Sequence, residues 1–188
     1  MTGEQSLAGL RVAILATDGF EQVELTGPRD AFQAAGATIM ILSPKPDKIQ
    51  GFNHDEKGAS LAVDIPLERA DAGDYDAVLL PGGALNADAL RMEPQAQAFV
   101  RAMQDAGKPI AVICHAPWLL VSAGLVKGRT LTSYHTLQDD IRNAGGTWHD
   151  QAVVEDGNWV SSRQPSDIAQ FNAAAITLFA AHKAGAPA

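Results

Sequence analysis

The sequence predicts an α/β domain in which a mostly parallel sheet lies between layers of helix. Three observations point there. Short apolar runs alternate along the chain with segments of helical spacing. Most of those runs stop at glycine or proline turn signals. Several are apolar without interruption, as strands covered on both faces are.

Arg11 to Ala16 (RVAILA) is a short buried-strand pattern closed by Thr17-Asp18-Gly19. Glu21 to Ala35 has helical spacing and stops at Gly36, with Pro28 predicting a kink or break near Gly27. Thr38 to Leu42 (TIMIL) reads as a second strand. Lys45 to Ser60 is polar and carries Pro46, Gly51 and Gly58, so it reads as the longest irregular stretch, a surface flap or contact loop. Ser60 to Ile65 alternates like an edge or hairpin strand.

Tyr75 to Leu80 (YDAVLL) is a further buried strand, stopped by Pro81-Gly82-Gly83. Gln95 to Ala106 is a helix ended by Gly107. Pro109 to Ile113 is a strand that runs straight into Cys114-His115-Ala116-Pro117 and a helix over Trp118 to Ala123. Gly128 to Ser133 reads as a strand and Thr136 to Ala144 as a helix. Asp156-Gly157-Asn158 marks a hairpin between Ala152–Glu155 and Trp159–Ser162. Arg163 to Asp167 reads as a structural cap before a last helix over Asp167 to His182, with Ser166 at its N-cap position. No repeat or linker interrupts the pattern, so one domain over residues 1–188 is expected.

Composition narrows the function. With 22 acidic against 14 basic residues the net charge is −8, which disfavours nucleic acid as a stable partner. A single cysteine excludes an internal disulfide and agrees with a reducing compartment. Met1 to Gly9 lacks the apolar core of a signal peptide, and no apolar run approaches membrane-spanning length. A cytoplasmic protein with no membrane partner is expected. The five histidines show no i,i+4 pairing, so no metal site is expected.

Ligands of open α/β sheets bind beyond the carboxyl ends of the strands. Three such ends carry useful chemistry: Thr17 to Glu24, Pro81 to Gly83, and Cys114-His115. Cys114 stands where strand passes straight into helix, the geometry of a nucleophile elbow, with a helix dipole favouring thiolate. The alternative is a buried cysteine acting as a small hydrophobe. The N–H groups of Gly82, Gly83 and His115 suit an oxyanion pocket, or the glycines form a plain turn. Glu21 and Glu24 read as a solvated first helical turn. His115 has the chemistry of a general base, although side chains adjacent in sequence rarely meet.

Taken together, Glu21-Gln22-Val23-Glu24-Leu25, Val78-Leu79-Leu80-Pro81-Gly82-Gly83, Ile113-Cys114-His115-Ala116-Pro117 and Asp156-Gly157-Asn158-Trp159-Val160-Ser161-Ser162-Arg163 resemble the ThiJ/PfpI superfamily. The resemblance runs from about Leu10 to about Ala181 and is strongest to the PfpI-type branch, described as intracellular protease I or general stress protein. It implies a flavodoxin-like three-layer sandwich of the class I glutamine amidotransferase-like kind. It also implies a nucleophilic, oxidation-prone Cys114, a carboxylic acid at Glu24 bonded to the sulfur, and Tyr134 lining the pocket. Homodimers or larger assemblies are implied, and no cofactor.

Two departures stand out. The family's usual Cys-His-Gly-Pro is Cys114-His115-Ala116-Pro117 here, and alanine lacks glycine's freedom at a turn. The acid that completes a triad between subunits in PfpI-type peptidases has its nearest match in Asp88, one residue further along the loop. Three functions follow from the resemblance. They are a stress-response cysteine enzyme acting on reactive carbonyls or carbonyl-modified proteins (glyoxalase or deglycase type), an intracellular cysteine peptidase, and a thiol redox sensor.

Overall fold

The computed structural model describes residues 6–183 and Gly185, so Met1 to Gln5 and the extreme carboxyl end of the expected domain lie outside the described residues. The strands are β1 (Arg11–Leu15), β2 (Phe20–Glu21), β3 (Thr38–Ser43), β4 (Lys48–Asn53), β5 (Glu56–Ala62), β6 (Ile65–Pro66), β7 (Ala77–Leu80), β8 (Ile110–Ile113), β9 (Thr130–Leu131), β10 (Thr147–Trp148), β11 (Val153–Asp156) and β12 (Trp159–Ser162). The helices are α1 (Gln22–Ala34), α2 (Ala84–Arg91), α3 (Pro94–Asp105), α4 (Pro117–Ser122), α5 (Gln138–Asn143) and α6 (Ile168–Lys183).

Seven strands form the central sheet in the order β11-β12-β8-β7-β1-β3-β6, and every neighbouring pair is parallel except β11 with β12. Side chains alternate between faces along a strand. Val12 and Ile14, Leu79, Ala111 and Ile113 therefore pack on Leu25, Phe32, Phe171 and Phe179 of α1 and α6. Ala13 and Leu15, Val78, Leu80, Ile110 and Val112 pack on Leu90, Phe99, Met103, Leu119 and Ile141 of α2 to α5. Uninterrupted apolar runs are what two covered faces require. The result is the mixed α/β sandwich expected.

Local details differ from the sequence reading. Lys45 to Ser60 is not irregular: β4 and β5 pair as an antiparallel hairpin. Gly51, which suggests a loop, sits within β4 because a Cβ there would lie 2.8 Å from the Phe20 ring. Three side chains, from the loop after β1, from β2 and from α1, hold the hairpin. Asp18 accepts from Gln50 N–H at 2.8 Å and from Lys45 Nζ, Gln22 Oε1 accepts from Ala59 N–H, and Glu21 accepts from His54 N–H at 3.2 Å.

Helix α1 passes Pro28 without the expected break; the missing N–H costs one helical bond, and burial of Leu25, Pro28 and Phe32 outweighs it. Helix α2 has no counterpart in the sequence reading. The strand expected over Gly128 to Ser133 shrinks to β9, paired with β10 outside the main sheet. Side chains take its backbone donors instead: Asp156 accepts from Thr130 N–H at 2.7 Å and Ser161 Oγ from Thr132 N–H at 2.9 Å. Ser166 does not cap α6. It lies in a single 3-10 turn (Pro165–Asp167) ahead of the helix and accepts from Gln164 Nε2.

Candidate active site

Cys114 follows β8 directly and adopts φ 63°, a left-handed conformation that is strained for any side chain but glycine. Backbone bonds hold it there. Its N–H donates to Ser162 C=O at 3.1 Å and its C=O accepts from Tyr134 N–H at 2.9 Å. The turn closes with Ala116 N–H on Ile113 C=O at 3.1 Å. Ala116 itself is right-handed (φ −58°, ψ −27°), so the freedom of a glycine is not used and alanine fits without strain.

The same φ answers the expectation that Cys114 and His115 would not meet. Turning the backbone into the left-handed region swings the two side chains together, and Sγ lies 3.2 Å from His115 Nδ1. The imidazole is stacked on Tyr134 (centroids 4.7 Å, 26°) and edge-on to Trp118 (5.3 Å). Trp118 Nε1 donates to Asp140 at 2.8 Å. Burial, with His135 nearby, pulls the His115 pKa below its usual value. A neutral imidazole beside the thiol is the consequence.

Glu24 is not the solvated residue that its helical position suggests. It is fully buried, and neither carboxyl oxygen has a well-aligned hydrogen-bond partner. Desolvation is the largest effect and raises its pKa to about 8, helped by the negative charge of Glu21 and opposed by the Cys114 thiol and Gly82 N–H beside it. At pH 7 Glu24 is therefore a neutral acid. Burial also pushes the Cys114 thiol up, and an ionised Glu24 pushes it further, while the N–H groups of Gly83 and His115 pull it down. Both groups cannot carry charge together. With the proton on Glu24 the repulsion vanishes, and a carboxyl O–H faces the sulfur.

The Pro81-Gly82-Gly83 turn lies against this pair. A Cβ on Gly82 would meet Glu24 Oε2 at 2.3 Å and Cys114 Cβ at 2.6 Å; one on Gly83 (φ 89°) would meet Gly19 C=O at 2.3 Å. The three N–H groups expected of an oxyanion pocket all lie beside the reactive pair. Those of Gly83 and His115 face the sulfur, whereas that of Gly82 faces the Glu24 carboxyl.

The sulfur opens into a cavity of about 400 Å³ lined by Glu21, Glu24, His54, Gly83, Ala84, Cys114, His115, Tyr134, Gln164, Pro165 and Ser166. Asp88 is absent from that lining; it is exposed on α2, and no Cys114–His115–Asp88 triad forms within one chain. Sequence reasoning missed His54 and the 164–166 wall. His54 is the hairpin tip (φ 58°), legible only once Lys45 to Ser60 is read as a hairpin. The wall is pinned by Arg163, whose guanidinium contacts the buried Asp167 through Nε (2.8 Å) and Nη2 (3.1 Å) and reaches Asp150 at 2.8 Å. Asp167→Asn is expected to lower stability by about 1–3 kcal/mol, read as a lower urea midpoint; an unchanged midpoint would show that the wall is held by other contacts.

The profile of the DJ-1/PfpI family matches residues 10–178. Deglycase TK1284 of Thermococcus kodakarensis is 42% identical over 159 residues, 85% of this chain and 93% of that protein. Protein/nucleic acid deglycase 2 of Escherichia coli is 38% identical over 172 residues, 91% of this chain and 98% of that one. The crystal structure of Drosophila melanogaster DJ-1beta superposes with a TM-score of 0.81 at 25% identity, covering 95% of this chain and 99% of that one.

Proposed function

This chain belongs to the DJ-1/PfpI family, and from that premise we propose that it is a cofactor-free cysteine enzyme acting on small reactive carbonyls and their protein adducts. One observation carries the reading: Cys114 Sγ lies at a small cavity between a buried neutral acid, Glu24, and a neutral imidazole 3.2 Å away. A base and an acid on one sulfur suit a reaction in which protons must be removed and returned.

With methylglyoxal, the thiolate adds to the aldehyde carbon and the new alkoxide is protonated, giving a hemithioacetal. The Glu24 carboxyl gives up its proton in that step, and the resulting carboxylate takes the hydrogen of the former aldehyde carbon as a proton. Return of a proton to the neighbouring carbon leaves a thioester of the hydroxy acid. Water cleaves it to lactate and frees the thiol. The N–H groups of Gly83 and His115 are placed to stabilise charge beside the sulfur. His115, held by Tyr134, carries a proton to or from Sγ.

The deglycase names of the relatives in Thermococcus and E. coli support the same class of substrate. The E. coli name includes nucleic acid; a net charge of −8 favours only transient contact with such a substrate. A Cys–His–acid triad of the peptidase kind is less well supported, because Asp88 lies on the exposed side of α2 outside the cavity and would have to reach His115 from a second copy of the chain.

The test is lactate release from methylglyoxal by the purified protein against a Cys114→Ala control. Turnover is expected in the first and none in the second. Equal rates in both would overturn the proposal. Peptide cleavage lost with Cys114→Ala would replace it by the peptidase, and oxygen addition to Cys114 by peroxide without any turnover would replace it by the redox sensor.

A further inference from the structure

Asn86 is a fully buried polar side chain that none of this chemistry uses. It lies in the first turn of α2. Its Oδ1 accepts from Thr17 N–H at 2.7 Å, beyond the end of β1. Its Nδ2 donates to two consecutive carbonyls, Pro81 C=O and Gly82 C=O, each at 3.0 Å. One N–H needing an acceptor and two carbonyls needing donors leave a single orientation for the amide.

Those carbonyls matter for what lies across their peptide planes. In a planar trans peptide the C=O and the following N–H point in opposite directions, and no described peptide bond is cis. Holding Pro81 C=O therefore aims Gly82 N–H, the group that faces the Glu24 carboxyl. Holding Gly82 C=O aims Gly83 N–H, the group that faces the Cys114 sulfur. Glu21 N–H supports the second plane by donating to the same Gly82 carbonyl at 3.2 Å. Two adjacent glycines have no side chains to hold themselves in place, so their orientation must be imposed from outside.

We infer that Asn86 is a positioning residue for the reactive thiol, its one carboxamide fixing the two peptide planes whose N–H groups face the sulfur and the buried carboxyl. It touches neither the sulfur nor the cavity. The inference rests on the reading of Cys114 as a reactive thiol.

The test separates this role from a purely structural one. Asn86→Asp keeps an acceptor for Thr17 and sets an oxygen against the two carbonyls; Asn86→Ala removes all three bonds. Asn158→Asp is the matched control: Asn158 is also buried, and its Nδ2 donates to Gln104 Oε1 (3.1 Å) and Lys108 C=O (2.8 Å) at the opposite rim of the sheet. Alkylation of Cys114 by iodoacetamide is followed by intact mass from pH 5 to pH 10, beside the unfolding midpoint of each protein.

Both Asn86 variants are expected to alkylate about tenfold more slowly at pH 7, with profiles displaced to higher pH, as loss of oriented donors on an anion requires. Asn158→Asp is expected to lower the unfolding midpoint and keep the wild-type profile. Asn86 variants with the wild-type profile overturn this inference alone. A wild-type Cys114 inert over the whole range overturns the reactive-thiol reading and this inference with it.

Discussion

Gly82→Ala is expected to reduce turnover about 100-fold, the scale of a misplacement of about 1 Å at a reacting group. The added methyl would lie 2.3 Å from Glu24 Oε2, 2.6 Å from Cys114 Cβ and 3.0 Å from Ile113 C=O. The carboxyl end can turn aside, but the cysteine Cβ and the strand carbonyl belong to the elbow. Relief therefore comes from spreading the contact that sets the thiol chemistry. Overpacking of this kind costs about 1–3 kcal/mol, a few degrees in Tm for a chain of this length.

Gly107→Ala is the control. Its φ of 67° makes alanine strained there, but nothing lies within 4 Å, so stability should fall with turnover unchanged. Lactate release and thermal unfolding of the two variants decide the matter. Wild-type turnover in Gly82→Ala would show that the loop yields freely and does not place the sulfur.

The second large effect is on stability against pH. The folded pKa of Glu24, about 8, is raised above its ordinary 4.5, so folding keeps a proton that the unfolded chain releases between those values. The stabilisation is complete below pH 4.5 and is lost as pH rises through about 8. At about 1.4 kcal/mol per pH unit that interval corresponds to about 5 kcal/mol, a large part of the stability of an ordinary domain.

Glu24→Gln cannot ionise and should be free of this slope. Denaturant unfolding at several pH values between 5 and 9 should show the wild type weakening relative to Glu24→Gln by several kcal/mol. His115, with its lowered pKa, contributes a slope of the opposite sign below pH 6.5, but it does so in both proteins and drops out of the difference. The variant should lose turnover by about 10²-fold or more, because it holds no transferable proton. Parallel stability curves would show that Glu24 is ionised in the folded protein.

Such a residue trades stability for function. Burying an acid without a well-aligned partner weakens the fold at neutral pH, and the strained φ of Cys114 adds a second cost beside it. Both lie at the same strand end, where the chemistry is proposed to occur.

Much of this protein was legible without coordinates. Runs such as RVAIL and IAVI have apolar residues at both i and i+1, which fits a strand covered on both faces, and their alternation with helical spacing gives the layered α/β fold. The position of Cys114 follows for the same reason, since strand passes into helix within three residues.

What the sequence alone did not decide depends on contacts between segments far apart. Gly51 and Pro46 mark loops by local propensity, yet the hairpin exists because Asp18, Glu21 and Gln22 tie its backbone down and Phe20 fills the space beside Gly51. By local pattern Glu24 reads as a solvated helix residue, and only the family resemblance sets it beside the sulfur; packing of α1 against Cys114 and Gly82 buries it, and desolvation then changes its protonation state. Asn86 is an ordinary polar residue in sequence, and only the folded turn shows that one amide orients two peptide planes. Local pattern determines which face is apolar; burial and peptide orientation, which govern charge and reactivity, are properties of the assembled sheet end alone.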